Sequence, residues 1–389
     1  MKVCPAKGCC TAPQWGMEPF NPADRPTMTA QSTVPDPSAI RREAGAGWHA
    51  QMPDDKAMLR AARDLTKDLG TARGAFYWPD MLVSAGLGYA TLAGAILVNN
   101  AGLAIALGLV SALAFYRALM FIHELSHLHR DALPGFRTAW NLLVGIPMLT
   151  PSFMYEGVHT LHHKRTQYGT VEDPEYLPLA LMKPWSLPLF VLVAILLPIG
   201  LLIRFAVLVP LGAILPPVRN FVWQRLSALA INPEFRRRPA EGALRPRVLW
   251  QEALGALWAI VLLASTQVLG WRPLLIALAV LSLTALLNQL RTLVAHLWEN
   301  EGEAMTVTAQ FLDSVNVPPP GLVAEVWAPV GLRYHALHHL MPSMPYHDLP
   351  EAHRRLRGEL GEASTYDGAN HPGMMVLVAR IARSTMRPR

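Results

Sequence analysis

Nine of the fourteen histidines in this 389-residue chain fall into three short windows. The windows read HELSHLH, HTLHH and HALHH. Because an α-helix turns once every ~3.6 residues, positions i, i+3 and i+4 share one face, so the three imidazoles of HTLHH and those of HALHH point the same way. Neutral imidazole binds iron, copper, nickel and zinc, and side-chain packing does not explain a stripe of imidazoles along one helix face. The pattern predicts a metal site built from His123 and His127, from His159, His162 and His163, and from His335, His338 and His339.

A further histidine, His296, stands alone in sequence but ends the fourth long apolar block, as His123 ends the second. Both block ends are expected at the same membrane face, so His296 is predicted to join the clusters. His129 lies two residues past His127 and faces elsewhere. These nine candidates are too many for one ion, whereas two ions with four or five imidazoles each leave a position for a small molecule such as dioxygen. The sequence therefore predicts a dinuclear centre.

Two other kinds of metal protein are alternatives. The letters HELSH match the HExxH motif of zinc proteases, in which the histidines bind zinc and the glutamate, here Glu124, acts as the base. A protease needs only one further ligand, so this alternative leaves both HxxHH windows and His296 unexplained. A histidine-lined metal transporter would place its ligands near the bilayer midplane, whereas these histidines lie outside the apolar blocks.

The composition indicates a membrane protein. Hydrophobic residues make up 52% of the chain and charged residues 16%, and the mean hydropathy is +0.24, which excludes a single soluble domain or a disordered chain. The formal charge is +6, but the basic residues lie between apolar blocks, so loops beside a bilayer explain them better than nucleic-acid binding. All three cysteines lie within the first ten residues, so we expect no disulfide framework and a reducing compartment.

Four blocks of the chain reach the ~20 apolar residues that cross the hydrocarbon of a bilayer. The blocks form two pairs joined by very short turns, whereas the remaining segments are long and basic. The positive-inside rule then places both termini, the long segments and the histidines in the cytosol, in a protein of a bacterial inner membrane. The predicted spans are residues 81–99, 101–122, 250–269 and 273–295.

A fifth apolar stretch, residues 187–215, is long enough to span but carries three prolines and Arg204. A single crossing here would place the following segment, with seven arginines between residues 219 and 247, on the outer side. We therefore expect residues 187–215 to form a re-entrant or interfacial hairpin that returns to the cytosolic side, with its proline-broken backbone buried in protein.

The chain divides into three predicted parts. Residues 1–50 are rich in Pro, Ala, Ser and Gly and bury too little apolar area to offset the entropy of ordering them, so a disordered tail is expected. Residues 51–356 form the membrane domain, and residues 357–389 form a C-terminal tail. The predicted fold class is an all-α polytopic membrane protein with four transmembrane helices, the hairpin, and a cytosolic helical cap that holds the metal site.

The histidine windows resemble the boxes of the membrane fatty acid desaturase superfamily, which have the form HxxxH or HxxxxH, HxxHH and HxxHH. HELSH stands at the end of a span, HTLHH follows about thirty residues later, and the third box reads RYHALHHLMPSMPYHDLPEAHRRL. The similarity covers about residues 77–356. It implies a non-haem di-iron centre in a cytosolic domain, with His296 as the additional ligand that follows the last span. Stearoyl-CoA desaturases have an asparagine four residues before that histidine, where this chain has Thr292.

The same resemblance implies that dioxygen and two electrons oxidise a membrane lipid or acyl substrate. We expect a fatty acid desaturase, with a lipid or carotenoid hydroxylase or ketolase as the alternative, because both reactions begin by removing one hydrogen. No GxGxxG element lies between a strand and a helix, so a separate ferredoxin or cytochrome with its reductase is expected to dock on the basic cytosolic face. Five carboxylates are candidate acceptors for imidazole N–H groups: Glu124, Glu156, Asp173, Asp313 and Asp348.

Overall fold

The computed structural model describes residues 52–320 and 323–385. Within these residues the regular structure is helical, with three isolated bridges and no strand. Five of the described helices are long and apolar enough to cross a membrane, so the all-α polytopic fold is confirmed. The tail predicted at residues 1–50 lies outside the described residues. The helices are α1 (Lys56–Leu65), α2 (Gly74–Leu97), α3 (Ala101–His127), α4 (Phe136–Trp140), α5 (His159–His162), α6 (Ser186–Ile214), α7 (Pro216–Leu226), α8 (Leu244–Leu269), α9 (Arg272–Leu293), α10 (Val307–Asp313), α11 (Val323–Trp327), α12 (His335–Leu340), α13 (Leu349–Leu360) and α14 (Met374–Thr385).

Four of the long helices, α2, α3, α8 and α9, coincide with the predicted spans. α3 continues five residues past its predicted end at 122 and so carries His123 and His127 on its last turns. α9 ends at Leu293, and His296 therefore lies in the loop after the helix rather than on it. The ends of α3 and α9 thus deliver three of the predicted ligands to one region.

The two short turns between paired helices lie together at the opposite end of the bundle. Asn100 begins α3 by accepting a hydrogen bond from the backbone N–H of Leu103, and Gly270 ends α8 with a φ of 72° that favours glycine. The guanidinium of Arg272, at the start of α9, donates to the backbone oxygen of Val98 in the other turn. This contact places both turns on one side, as the sequence predicts.

The helix α6 corrects the predicted hairpin within residues 187–215. The segment is one long helix, α-helical over Ser186–Ile203 and Val209–Ile214 with a π-helical turn at Arg204–Leu208 between them. An interior proline such as Pro198 removes one backbone hydrogen bond. Within a bilayer, neighbouring helices and local π-helical turns accommodate such a proline, and here Leu201, Leu202 and Phe205 are buried in the protein. The prediction counted the prolines without this tertiary packing.

The chain nevertheless returns to the side from which α6 starts. The backbone becomes extended at Leu215 (φ −111°, ψ 105°), and α7 runs back, so that Arg204 Nε donates to the backbone oxygen of Leu226 at 2.6 Å. The N–H of Ile231 then donates to the backbone oxygen of Pro174 at 2.9 Å, beside the segment that precedes α6. The chain therefore runs back toward the start of α6, and the turn lies at Leu215.

Residues 357–385 continue the folded body. The boundary drawn at 356 falls inside α13, and the N–H of Asn316 donates to the backbone oxygen of Ala369 at 2.8 Å. On α14, Leu377 and Ile381 are buried. The segment that the sequence sets apart as a tail therefore packs onto the domain, because its apolar residues recur at helical spacing.

Short helices form a cap over the end of α3, which carries His123 and His127, and over the end of α9, which precedes His296. One apolar core joins α1, the loop after α9, α12 and α14 through Met58, Trp298, Leu337 and Ile381. All four side chains are buried, and burial of this size contributes about 1.5–3 kcal/mol for each large apolar residue. This core fixes the backbone segments from which the remaining histidines project.

Candidate metal centre

The nine predicted histidines converge into two neighbouring groups, and within each group the candidate ligand nitrogens lie within 4.8 Å of one another. The rings of His163 and His339, one from each group, stack with their centroids 4.2 Å apart. His129 is exposed and belongs to neither group. The five-histidine group comprises His123, His127, His159, His163 and His338, and the four-histidine group comprises His162, His296, His335 and His339.

Each HxxHH window contributes to both groups. In the second window His159 and His163, spaced i and i+4, join the five-histidine group, and His162 joins the other. The third window is divided in the opposite way, with only His338 in the five-histidine group. The sequence predicts that each window faces one direction. The structure instead interleaves the two windows, which ties both groups to both segments.

The loop after α9 brings His296 into the four-histidine group. The N–H of Val315 donates to the backbone oxygen of Ala295 at 3.0 Å, and the N–H of Leu297 donates to that of Asp313 at 2.7 Å. These two bonds form a short bridge on either side of His296. The side chain is buried, so its position is set by the backbone rather than by solvent.

The Nε2 atoms of both groups face one another. In the five-histidine group, His159 and His163 are 2.9 Å apart and His127 and His338 are 3.1 Å apart. In the four-histidine group, the Nε2 atom of His296 lies 3.3 Å from that of His162 and 3.0 Å from that of His335. All of these nitrogens are close enough to share one positive ion within their own group.

Hydrogen bonds at the other ring nitrogen determine where the proton lies on His162 and His296. His162 Nδ1 is 2.9 Å from the Asp173 carboxylate, which can only accept, so Nδ1 carries the proton. The Tyr168 hydroxyl donates to Asp313 at 2.8 Å and therefore accepts from His296 Nδ1, also at 2.8 Å. Both Nε2 atoms then present lone pairs to each other across 3.3 Å. With both imidazoles neutral, a bound cation satisfies this arrangement.

The same logic applies in the five-histidine group. His159 Nδ1 lies 2.8 Å from the carboxylate of Glu175, which also accepts from the Tyr155 hydroxyl at 2.7 Å. The Nε2 atom of His159 therefore presents a lone pair to His163. Burial raises the pKa of Glu175 to about 7. The histidine residues of the two groups thus fit a pair of metal ions.

Burial keeps most of these imidazoles in the neutral form that binds metals. It lowers the pKa well below the ordinary 6.5, and neighbouring imidazoles lower it further. For His162 burial acts in the same direction, but the adjacent Asp173 carboxylate raises the pKa overall. Among the nine converging histidines, those outside the long helices with a lowered pKa are His159, His163, His296, His335, His338 and His339.

Of the five predicted carboxylate acceptors, two act on the groups. Asp173 contacts His162 directly, and Asp313 acts on His296 through Tyr168. Glu156 instead pairs with Arg137 and Arg247, and Asp348 pairs with Arg73. The sequence did not single out Glu175, and its only signal is the position two residues after Asp173.

The fifth carboxylate, Glu124, decides against the protease alternative. Its carboxylate accepts hydrogen bonds from the Tyr77 hydroxyl and from the N–H of Tyr346. It lies 3.9 Å from His123 Nδ1, beyond hydrogen-bond distance. A metalloprotease needs this carboxylate free beside the metal-bound water. Here it ties α3 to α2 and to the loop after α12.

A small cavity lies between the two groups. Its lining includes the last turn of α9 and imidazoles from both groups. Thr292 lines this cavity. Stearoyl-CoA desaturases have asparagine at the same position. The residues that line the cavity are His123, Tyr155, His159, His162, Glu175, Arg291, Thr292, Ala295, His296 and His335.

Comparison with known families agrees with this geometry. The family model for fatty acid desaturase matches residues 100–369, which include all nine converging histidines. The chain belongs to the fatty acid desaturase family. With five apolar helices, it is a multi-pass membrane protein of an oxidoreductase family, and its clustered histidines are the histidine boxes of that family.

One curated relative extends the comparison to nearly the whole chain. A ceramide hydroxylase of Caulobacter vibrioides (strain NA1000 / CB15N) is 46% identical over 336 residues, which cover 86% of this chain and 95% of the relative. No solved structure matches the chain significantly. A family named for desaturation therefore includes a similar protein that is named for hydroxylation.

Proposed function

We propose that this protein is an oxygen-dependent hydroxylase of membrane lipids whose substrate is ceramide or a closely related N-acylated lipid. In this proposal one iron ion is held by the five-histidine group and the other by the four-histidine group. The observation that carries it is the division of nine mostly neutral imidazoles into two adjacent groups on a membrane fold. Identity over 95% of a ceramide hydroxylase supports hydroxylation and the lipid class.

When bound, the two iron ions supply the activation of dioxygen that removal of hydrogen from an unactivated C–H bond requires. The chain's own residues prepare that site. Asp173 and Glu175 hold His162 and His159 in the tautomer that presents Nε2 to the ions. Tyr168 does the same for His296. Burial of the groups excludes bulk water, while the lipid reaches the cavity from the bilayer.

Desaturation is the second candidate, and the description of the matching family supports it. Hydroxylation puts one oxygen atom of dioxygen into the lipid and releases the other as water. Desaturation removes two hydrogens from the lipid and releases both oxygen atoms as water. Both reactions consume two electrons and two protons, so the same site serves either, and the fate of the oxygen atoms distinguishes them.

The electrons come in this proposal from a separate ferredoxin or from a cytochrome with its reductase. The donor docks on the cytosolic side, where the positive-inside rule places the long basic segments of the sequence. We also propose that this face is cytosolic in a bacterial inner membrane, because the long basic segments follow the positive-inside rule.

The test is to express the gene in a host that makes unmodified ceramides and to supply labelled dioxygen. Mass spectrometry of the lipids is expected to show one labelled hydroxyl per ceramide. His127→Ala should abolish the product, whereas His129→Ala, two residues away and exposed, should not. New double bonds without label would establish desaturation instead, and unchanged lipids in the presence of iron-loaded protein would overturn both reactions.

A further inference from the structure

A buried arginine lies beside the histidine groups without an ionic partner. Arg291 is on the last turn of α9 and lines the cavity between the groups. Only 8% of the residue is exposed. No carboxylate among the described residues lies within 4 Å of its guanidinium. A buried guanidinium in that position is costly unless something else satisfies it.

The contacts of Arg291 leave donor capacity unused. A guanidinium has five N–H donors. Nη2 is 3.4 Å from Asn288 Oδ1, a long hydrogen bond, and the side chain also reaches the Tyr116 hydroxyl. Nε is buried and has no hydrogen-bond partner in the described part of the chain. The cavity therefore contains a charged donor that the protein itself does not saturate.

We propose that Arg291 binds an acceptor oxygen in the head region of the lipid, the amide carbonyl or a hydroxyl of ceramide, and so determines which carbon is oxidised. This role rests on the proposed function, since it presupposes that the lipid enters the cavity. Arg291 is then a specificity-determining residue: it contacts the lipid head rather than the metal ions, and it sets the distance from the head to the carbon that reacts.

The charge of the cavity favours a neutral oxygen over an anion. Glu175 also lines the cavity, and it is near enough to Arg291 for the two charges to interact. An anionic head group would be attracted by Arg291 and repelled by the carboxylate of Glu175. A carbonyl or hydroxyl oxygen accepts a hydrogen bond from the guanidinium without adding charge.

The place of Arg291 limits the position of oxidation. Arg291 lines the same cavity as His123 and His296, one imidazole from each group. A head oxygen bound to Arg291 therefore lies close to both histidine groups. With the head oxygen held at Arg291, the carbon that reaches the histidine groups lies near the head, and the remaining chain stays in the bilayer.

The experiment compares iron-loaded wild-type protein with Arg291→Met and Arg291→Lys. Binding of a C16 ceramide is measured without an electron donor, so that no turnover occurs. Arg291→Met should weaken binding roughly 10- to 100-fold, because a hydrogen bond to a charged group is lost, and Arg291→Lys should weaken it less. With the donor added, KM should rise, and residual products should spread along the chain. Arg272→Met, at the other end of α9, is the matched control and should bind normally.

Two further readouts separate this role from a structural one. Iron content should stay unchanged in Arg291→Met, and the melting temperature should not fall, because a buried charge without an ionic partner is removed. Loss of iron or of thermal stability would show that Arg291 supports the fold through Tyr116, and that result would overturn the proposal.

The remaining outcomes are distinguishable from failure of the proposed function. Wild-type protein that neither binds nor oxidises ceramide contradicts the proposed substrate. Wild-type protein that does both, with Arg291→Met equally tight and equally regiospecific, overturns only the role of Arg291. A free fatty acid that binds more tightly than ceramide, and only when Arg291 is present, would replace the neutral oxygen with a carboxylate and overturn the assignment.

Discussion

The two histidine groups differ in how firmly they are held. In the four-histidine group every imidazole is buried, and both His162 and His296 have Nδ1 fixed by a carboxylate or a hydroxyl. In the five-histidine group His127 and His163 are only partly buried, and only His159 has Nδ1 fixed by a carboxylate. Among the described residues, Nδ1 has no hydrogen-bond partner on three imidazoles of that group and on two of the four-histidine group, namely His123, His163 and His338, and His335 and His339. The four-histidine group is therefore the more firmly held, because it is wholly buried and has Nδ1 fixed on half of its imidazoles.

The largest effect is expected from His296→Ala, which removes one of four ligands from the firmly held group. Turnover should fall at least ~100-fold, beyond what loss of a supporting residue usually costs, and the iron content should drop from about two ions per chain toward one. Elemental analysis and lipid mass spectrometry measure both. His129→Ala should retain both ions. A variant of His296 with full iron and full turnover would remove this residue from the ligand set.

A smaller effect is expected from the two carboxylates that orient imidazoles. Asp173→Asn and Glu175→Gln should each weaken metal binding about 10- to 100-fold. Asp173→Asn should be the more severe, because Asp173 also accepts from the N–H groups of Gly169 and Glu175, both at 2.8 Å. Titration with a chelator of known affinity ranks the two variants. A larger loss of metal affinity in Glu175→Gln would show that the five-histidine group depends more on the contact between Glu175 and His159 than the geometry indicates.

The smallest effect is expected from Tyr168→Phe. The variant loses the hydroxyl between His296 and Asp313. Ser314 Oγ lies 3.2 Å from His296 Nδ1, however, and can still accept a hydrogen bond from it. Activity should fall by about tenfold or less, at the low end for such supporting contacts. Tyr89→Phe is the control, because the Tyr89 hydroxyl donates to the backbone oxygen of Leu143 and to no histidine. Complete loss of iron in Tyr168→Phe would mean that Ser314 does not substitute.

The convergence of the histidines could be predicted from sequence, and their division between two groups could not. Spacing of i, i+3 and i+4 shows that imidazoles share a helix face. The position of His296 just after a span indicates that it lies at the same membrane face as the other histidines. Within one face, however, His162 and His163 belong to different groups, since the assignment depends on how α5 and α12 interleave. That packing is tertiary information. The charge on Glu175 is likewise indistinguishable in sequence from that of a surface carboxylate.

The long helices show the same limit. Hydropathy located four of them, and the contact between Ile231 and Pro174 shows that the chain runs back toward the start of α6 before α8 begins. Hydropathy could not show that α6 stays helical through Pro198, because the compensating contacts of Phe205 and its neighbours come from distant segments. The sequence contains no signal for the role of Arg291 for a related reason, because a cation at the end of a span resembles an ordinary interfacial residue.

The most direct test of the central claim is the metal content of the purified, full-length protein. We predict about two iron ions per chain, with His296→Ala and His127→Ala each retaining about one, because the two variants disable different groups. One zinc ion per chain, or a single iron that either substitution abolishes completely, would contradict a centre divided between two histidine groups.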